Sequence, residues 1–290
     1  MNIKNHKLTG VEYQQARWIG PEITPEIVIL HDTASSIKKG AAAGYLRDNP
    51  AKVSVHFVIE IDGTIIQQVP VNRRANHAGA SSFHGRSGCN DFSIGIELVN
   101  PGKMSAVAPG VGRTWFGAAI HKDPVQGIEI REAATEQHGT GVWMDYPIKQ
   151  ITALCQLLAV LFSDIPTLRD ITTHWYVSPG RKIDTNPLLP LEEVRAHILG
   201  CDDPADVVAE DQSTETVSSD LVQIDAPGDG LNLRRWPSFN PNVLTTIPHE
   251  AVVPVLREGW FSGRHWLRVI YAGQEGWIVA SHTAAITHSA

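Results

Sequence analysis

The stretch Ile27-Val28-Ile29-Leu30-His31-Asp32 decides how the chain is read. Four apolar residues follow one another soon after Pro25, with no polar alternation to mark a wet side. Such a run reads as a short strand buried on both faces, ending in the polar segment His31-Asp32-Thr33-Ala34-Ser35. Downstream, the Ala-rich segment 39–47 is expected to be helical and to stop before Pro50. Residues 53–60 alternate, with His56 in mid-strand, and run into Asp62-Gly63 between two β-branched runs, a strong short-range hairpin signal. Segment 93–99 alternates again, placing Ile94, Ile96 and Leu98 on one face and Gly95 and Glu97 on the other.

From Pro101 to about Asp145 the periodicity disappears and glycines recur at 102, 110, 112, 117, 127, 139 and 141. This segment reads as a loop-rich insertion beside a site, in the manner of a lid. Pro147 then takes a favoured first-turn position, and Ile148, Ile151, Leu154, Leu158 and Leu161 follow at helical spacing. A short strand, 170–173, leads into His174, and a last helix over 191–199 stops at Gly200. Residues 201–219 shift to Asp, Glu, Ser, Thr and Ala, the composition of a linker. The remaining 220–290 hold four of the eight tryptophans in short β-rich runs separated by turn residues, expected as a small all-β barrel. The expected division is a main domain over 1–200, a linker over 201–219 and the barrel over 220–290.

Bulk properties exclude several classes of function. The formal net charge of −7 over 290 residues disfavours a nucleic-acid partner, which needs a basic face. Three widely spaced cysteines, Cys89, Cys155 and Cys201, give neither a disulfide framework nor a zinc knuckle. The longest apolar run, 157–162, is far too short to span a bilayer. Residues 1–7 are polar and lead into no apolar signal region, so the chain is expected as a soluble protein made in the cytoplasm.

Two histidines stand at the ends of expected strands, His31 and His174, and Asp184 lies ten residues past the second. Two imidazoles and a carboxylate suit a catalytic zinc with a fourth position left for water. With thirteen histidines in the chain, spacing alone leaves a chance pairing open. Glu97, a carboxylate within an apolar strand, reads either as half of a structural ion pair or as a general base in a cleft. Lys182, two residues before Asp184, points to the same side of an extended segment and would stabilise an oxyanion; alone it reads as a solvated loop lysine.

Four blocks in order carry a resemblance: ILHDTAS from Ile29, VSVHFVIEIDGTIIQQVP from Val53, CNDFSIGIELVN from Cys89 and HWYVSPGRKIDTNPLLP from His174. Together they frame residues 27 to about 190, and the set resembles the type 2 N-acetylmuramoyl-L-alanine amidases, relatives of the peptidoglycan recognition proteins. The resemblance implies an α/β fold, a mixed β-sheet flanked by helices, and a zinc ion on His31, His174 and Asp184. It implies Glu97 as the catalytic glutamate and Lys182 as its lysine partner, with peptidoglycan or a muropeptide as substrate. His77 matches a family segment near the substrate groove, so a substrate contact and a structural loop histidine both stand as readings. Arg86 and Asn90 are further substrate-binding candidates. His56 is expected to be buried and hydrogen-bonded, and His6, His84, His121, His138, His249, His265, His282 and His288 to be surface residues.

The tail, through Leu231-Asn232-Leu233-Arg234-Arg235-Trp236-Pro237 and the later runs around Trp266 and Trp277, resembles a bacterial Src-homology-3-like domain. That resemblance implies wall binding, with Trp236 or Trp260 stacking on a ligand and Trp266 and Trp277 filling a small core. A wall-binding tail favours polymeric peptidoglycan and action at the cell wall or periplasm after release, as for an endolysin or autolysin. The alternatives are a catalytically silent peptidoglycan-binding protein, a cytosolic recycling amidase of anhydromuropeptides, and an unrelated zinc hydrolase.

Overall fold

The computed structural model describes residues 1–135, 137–199, 221–228, 230–234, 237, 243–261 and 264–286. The chain divides into two units, Met1–Pro190 and Leu191–Ala290. In the first, the small pair β1 (Ile3–Lys4) and β2 (Lys7–Leu8) precedes β3 (Glu12–Tyr13), β4 (Ile27–Asp32), α1 (Ala41–Arg47), β5 (Phe57–Ile59) and β6 (Ile65–Gln67). A short hairpin, β7 (Ser82–Phe83) and β8 (Arg86–Ser87), then leads to β9 (Ser93–Leu98).

A six-stranded mixed sheet has the order β15-β4-β9-β5-β6-β3, where β15 is Asp170–Thr173. Strand β4, next to the edge, pairs in parallel with β15 on one side and β9 on the other. All six residues of β4 are buried, as a run with no wet side requires. Helix α2 (Ile148–Asp164) buries Ala153, Leu154, Leu157, Leu158 and Leu161 along one stripe. Its Gln150 Nε2 donates to the carbonyls of Ile59 and Val99 at 2.9 and 3.1 Å, fastening the helix to the ends of two strands. Pro147 is the cap preceding α2 rather than a first-turn residue.

Two expectations change. The strand expected over 53–60 shortens to β5; the amide of Ser54 turns to the carbonyl of Asn76, while that of His56 still reaches Gly95 in β9. Residues 101–145 are not a loop-rich lid. They form a second, antiparallel sheet of β10 (Met104–Ala108), β11 (Val111–Thr114), β12 (Ala119–His121), β13 (Ile130–Thr135) and β14 (Gly139–Met144), ordered β12-β11-β10-β14-β13. The glycines at 110, 117, 127 and 139, all at positive φ, lie between these strands or at their ends, punctuating short elements rather than dissolving them. Many of its positions are exposed, so few are apolar; Met104, Ile120, Ile128, Val142 and Met144 join Ala42, Ala43, Leu46, Val58 and Val99 in one core cluster.

After β15 comes the four-residue helix α3 (His174–Val177). The second unit begins with α4 (Leu191–Leu199). It continues with β16 (Leu221–Ile224), β17 (Leu231–Arg234), β18 (Val243–Ile247), β19 (Val252–Phe261), β20 (Arg264–Tyr271), β21 (Gln274–Val279) and β22 (Thr283–Ala285). These pair antiparallel in the order β18-β17-β21-β20-β19-β16-β22. Trp266 and Trp277 are buried in this unit. The expected linker 201–219, Cys201, Trp236 and the side chain of Trp260 lie outside the described residues.

Candidate metal centre

The parallel register places the candidate residues in one row. His31 pairs with Glu97 across β4 and β9, and Glu97 with Val58 across β9 and β5. On the other side Leu30 pairs with Thr173, so His174, one residue further and at the start of α3, comes beside His31. In-register residues of parallel strands share a face, so His31 and Glu97 point the same way. Asp184 arrives from the loop after α3, its carbonyl accepting the amide of Trp175 at 2.7 Å.

Three side-chain atoms converge. His31 Nδ1 lies 2.9 Å from His174 Nδ1, and Asp184 Oδ2 lies 2.9 Å from His174 Nδ1 and 3.4 Å from His31 Nδ1. His31 and His174 are buried. The proton positions follow from what surrounds the rings. The Ser93 hydroxyl donates to the carbonyl of Cys89 at 2.5 Å, so Ser93 Oγ accepts from His77 Nε2 at 3.2 Å. His77 Nδ1 is then an acceptor and takes the proton of His31 Nε2 at 2.9 Å, leaving His31 Nδ1 with its lone pair. His174 Nε2 faces the carbonyl of Ala78 at 3.1 Å and the Arg181 guanidinium at 3.3 Å; with its proton given to the carbonyl, His174 Nδ1 also presents a lone pair.

Two imine nitrogens and a carboxylate oxygen, with no proton among them when the rings are neutral, need a cation between them. Tetrahedral zinc with bonds of ~2.0–2.1 Å would hold such atoms about 3.3 Å apart, close to the spacing found. Burial, and then the neighbouring His174, pushes the His31 imidazole down to about 4, favouring the neutral ring a metal requires. Burial raises the Asp184 carboxyl, but the adjoining His174 and His31 rings outweigh it and hold the group well below the usual carboxylate range.

Glu97 stands beside this trio with its Oε2 shielded from solvent and without a hydrogen-bond partner. Burial, and then the charges of Asp184 and Asp32, drive its carboxyl well above the ordinary value, while Lys182 opposes them. No arginine pairs with it among the described residues, so the structural ion-pair reading has no support. The charge of Lys182 acts on both Glu97 and His31, placing that half-buried ammonium at the same site.

Of the remaining candidates, His77 and Asn90 support the trio and Arg86 stands apart from it. Both ring nitrogens of His77 are engaged by His31 and Ser93, and a Cβ on Gly95 would come within 2.5 Å of its ring. His77 therefore backs a candidate ligand rather than lining an open groove. Asn90 is buried and accepts the amides of His77 and Ala78 at 3.1 and 2.8 Å, fixing that loop. Arg86, exposed in β8, pairs with Glu26 at 2.7 Å and lies over the Phe92 ring, away from the trio. His56 is buried as expected: Nδ1 accepts the amide of Gly95 at 3.0 Å and Nε2 donates to the carbonyl of Arg73 at 2.8 Å.

Sequence reasoning missed Asp32, Tyr146 and His138. Asp32 accepts from the Tyr146 hydroxyl at 2.7 Å and from the Asn186 amide at 2.8 Å, tying the loop of Asp184 to the strand of His31. His138, expected at the surface, is buried, because its ring reaches the carbonyl of Thr185. No local signal marks these ties, whose partners are distant in sequence; only the position of Asp32 beside His31 hinted at a role.

Sheet and site together define a class, an α/β domain presenting a His-His-Asp group of metal-ligand geometry on one face of a mixed sheet. Within that class the chain belongs to the N-acetylmuramoyl-L-alanine amidase family, whose profile matches residues 21–187. Among curated proteins it is 32% identical over 136 residues to 1,6-anhydro-N-acetylmuramyl-L-alanine amidase AmpD of Escherichia coli K12, covering 47% of this chain and 53% of that protein. It is 62% identical over 145 residues to the AmpD of Citrobacter freundii, covering 50% and 57%. The chain thus spans about half the length of these curated relatives. A solved structure of the Escherichia coli amidase AmiD, in complex with anhydro-N-acetylmuramic acid-L-Ala-D-gamma-Glu-L-Lys, aligns with a TM-score of 0.49 at 23% identity over 71% of this chain and 70% of that one.

Proposed function

We propose that this protein is a zinc-dependent N-acetylmuramoyl-L-alanine amidase that cuts the amide between N-acetylmuramic acid and L-alanine in peptidoglycan. The observation carrying this reading is the convergence of His31 Nδ1, His174 Nδ1 and Asp184 Oδ2 beside the unpartnered Oε2 of Glu97. Those three atoms would hold zinc, which when bound polarises the substrate carbonyl and makes water acidic enough to attack near neutral pH. Glu97 takes one proton from the attacking water at Oε2 as the carbon–oxygen bond forms. It then returns that proton to the L-alanine nitrogen as the carbon–nitrogen bond breaks. Lys182 holds negative charge on the carbonyl oxygen through the tetrahedral stage. A cation at the trio would offset the charge of Asp184, removing one of the forces that keep Glu97 protonated.

The test is Glu97→Gln in zinc-loaded protein, with cleavage followed by mass spectrometry of digested peptidoglycan. Zinc content should stay near wild type while turnover falls by about 10²–10⁴. Wild-type release of stem peptides beginning with L-alanine supports the amidase, whereas lost acetate or cut peptide–peptide bonds points to another zinc hydrolase. Near wild-type turnover in the zinc-loaded variant removes Glu97 from the mechanism, and an inactive wild type leaves the peptidoglycan-binding alternative.

The biological setting divides on the second unit. Its antiparallel strands and buried Trp266 and Trp277 favour a Src-homology-3-like domain for wall binding, and so polymeric peptidoglycan as substrate. The relatives named for anhydromuramyl substrates favour a recycling enzyme instead. No helix among the described residues is long and apolar enough to cross a membrane. Our reading is a protein made in the cytoplasm that acts on the wall after release; faster cleavage of soluble anhydromuropeptide than of purified sacculi would reverse it.

A further inference from the structure

The second sheet reaches the metal centre at the loop carrying the third candidate ligand. Three consecutive residues of that loop are each held by a different group. The carbonyl of Asp184 accepts the amide of Trp175 at 2.7 Å. The amide of Asn186 donates to Asp32 Oδ2 at 2.8 Å. Between them, the carbonyl of Thr185 accepts from His138 Nε2 at 2.8 Å. Trp175 and Asp32 are the immediate neighbours of His174 and His31, so two of the holding groups belong to ligand-bearing segments. The third comes from the turn between β13 and β14, and the same sheet also provides the Met144 carbonyl, which accepts from Asn186 Nδ2 at 3.0 Å.

The chemistry of His138 makes this contact directional. A carbonyl oxygen only accepts, so Nε2 carries the proton, and Nδ1 is left to accept the Thr135 hydroxyl at 2.6 Å. Thr135 Oγ1 also accepts the His138 amide at 3.1 Å, so the turn is already closed without the ring. Trp143 and Trp175 meet the ring edge-on at 5.8 and 5.9 Å, fixing its plane. His138 and Thr185 are 7% and 1% exposed, so water does not readily replace the bond. A histidine serving only its own hairpin would keep its donor within the sheet; this one gives it to the residue next to Asp184.

We propose that His138 is a positioning residue for the metal centre: through the Thr185 carbonyl, the second sheet holds the Lys182–Asp184 segment so that both side chains keep their aim. The inference rests on the zinc reading above and adds a role for residues 101–145 within it. His138 does not touch substrate; it acts through the backbone of the loop.

The test compares H138A, H138Q and H138M in the full chain loaded with zinc. The main readout is the rate at which zinc passes to a chromogenic chelator, with kcat and KM on a muramoyl dipeptide measured alongside. H138A should release zinc about tenfold faster, at the lower end of what loss of an outer hydrogen bond does to metal affinity. Its kcat should fall with KM nearly unchanged. H138Q, which keeps an amide N–H within reach of the Thr185 carbonyl, should restore slow release, whereas H138M, of similar volume but without a donor, should not. If H138A does not fold, the H138Q and H138M pair makes the same comparison. Equal release from H138M, H138Q and wild type overturns the inference and makes His138 a packing residue. A wild-type protein that takes up no zinc overturns the zinc reading itself, which the uptake measurement distinguishes before any variant is made.

Discussion

All six residues of β4 in the central sheet are buried, whereas in β10 of the second sheet only Met104 of five is. The central strands are covered on both faces, with Ile94, Ile96 and Leu98 of β9 fully buried on one, and Gly95 buried and Glu97 half-buried on the other. The second sheet is covered unevenly, mostly exposed in β10 but buried at Val142, Trp143 and Met144 of β14, and it gives hydrogen bonds to the loop of Asp184. The difference teaches a division of labour. His31 and Glu97 sit where burial on both faces makes the backbone hardest to move, and His174 follows directly on β15. Asp184 and Lys182 lie on a loop, which gains its position from hydrogen bonds supplied by a thinner sheet.

The largest expected effect breaks this comparison most directly. Ile96→Ala in β9 should lower the unfolding free energy by about 2–5 kcal/mol, since a fully buried side chain leaves a cavity that a two-sided strand cannot collapse into. Val107→Ala in β10, where the side chain is 48% exposed, should change it by about 0.5 kcal/mol or less. Urea unfolding of the two variants checks both; comparable losses would mean that the second sheet is as integral to the fold as the first.

This contrast also governs how much was legible in the sequence. The run 27–30 and the alternation 93–98 announce β4 and β9, because burial on two faces or on one leaves a pattern in adjacent residues. His31 and Glu97 are readable for the same reason, as polar residues at the ends of patterns that exclude them. Residues 101–145 form short strands broken by turn glycines, with runs of exposed residues in β10 and adjacent buried residues in β14, so no alternation shows. The bond from the Tyr146 hydroxyl to Asp32 joins residues 114 apart, and that from His138 to Thr185 joins residues 47 apart. Such contacts are set by how the sheets meet, and no local pattern encodes them. The placement of His77 behind His31 depends likewise on Gly95 leaving room for its ring, a fact of packing between β9 and the loop of residue 77.

A second, intermediate effect is expected from pH. His56 is buried, and burial lowers its imidazole to about 4, against a hydrogen bond to the Arg73 carbonyl that acts the other way. Its Nδ1 must stay unprotonated to accept the Gly95 amide. The folded protein therefore prefers the neutral ring. The stabilisation is fully present above pH ~6.5, where the unfolded ring is neutral too, and is lost as the pH falls from ~6.5 toward 4. The loss over that window should reach about 3 kcal/mol. His56→Gln cannot titrate, so the stability gap between wild type and variant should shrink as the pH is lowered through the window. A gap that stays constant from pH 7 to pH 4 would show that the acid sensitivity lies elsewhere.

The smallest of the three effects sharpens the comparison at the metal itself. His77 accepts the proton of His31 Nε2, and its own proton goes to Ser93, whose hydroxyl is held by the Cys89 carbonyl. The direction of the whole chain is set by that carbonyl, and its outcome is a lone pair on His31 Nδ1. His77→Ala leaves His31 free to rotate and to change tautomer, and zinc affinity should fall about 10–100-fold. Ser93→Ala should have a weaker effect of the same kind, because His77 keeps its place but loses the partner that fixes its proton. Gly95→Ala reaches the same result by packing, since the added Cβ would lie 2.5 Å from the His77 ring. Competition with a chelator of known affinity measures all three. Because this relay acts on a ligand directly, within the central sheet, its loss should cost more affinity than the loss of His138, which acts through a backbone carbonyl. If the His138 variants weaken zinc binding more than His77→Ala, the order is reversed, and the loop held by the second sheet is what limits metal retention.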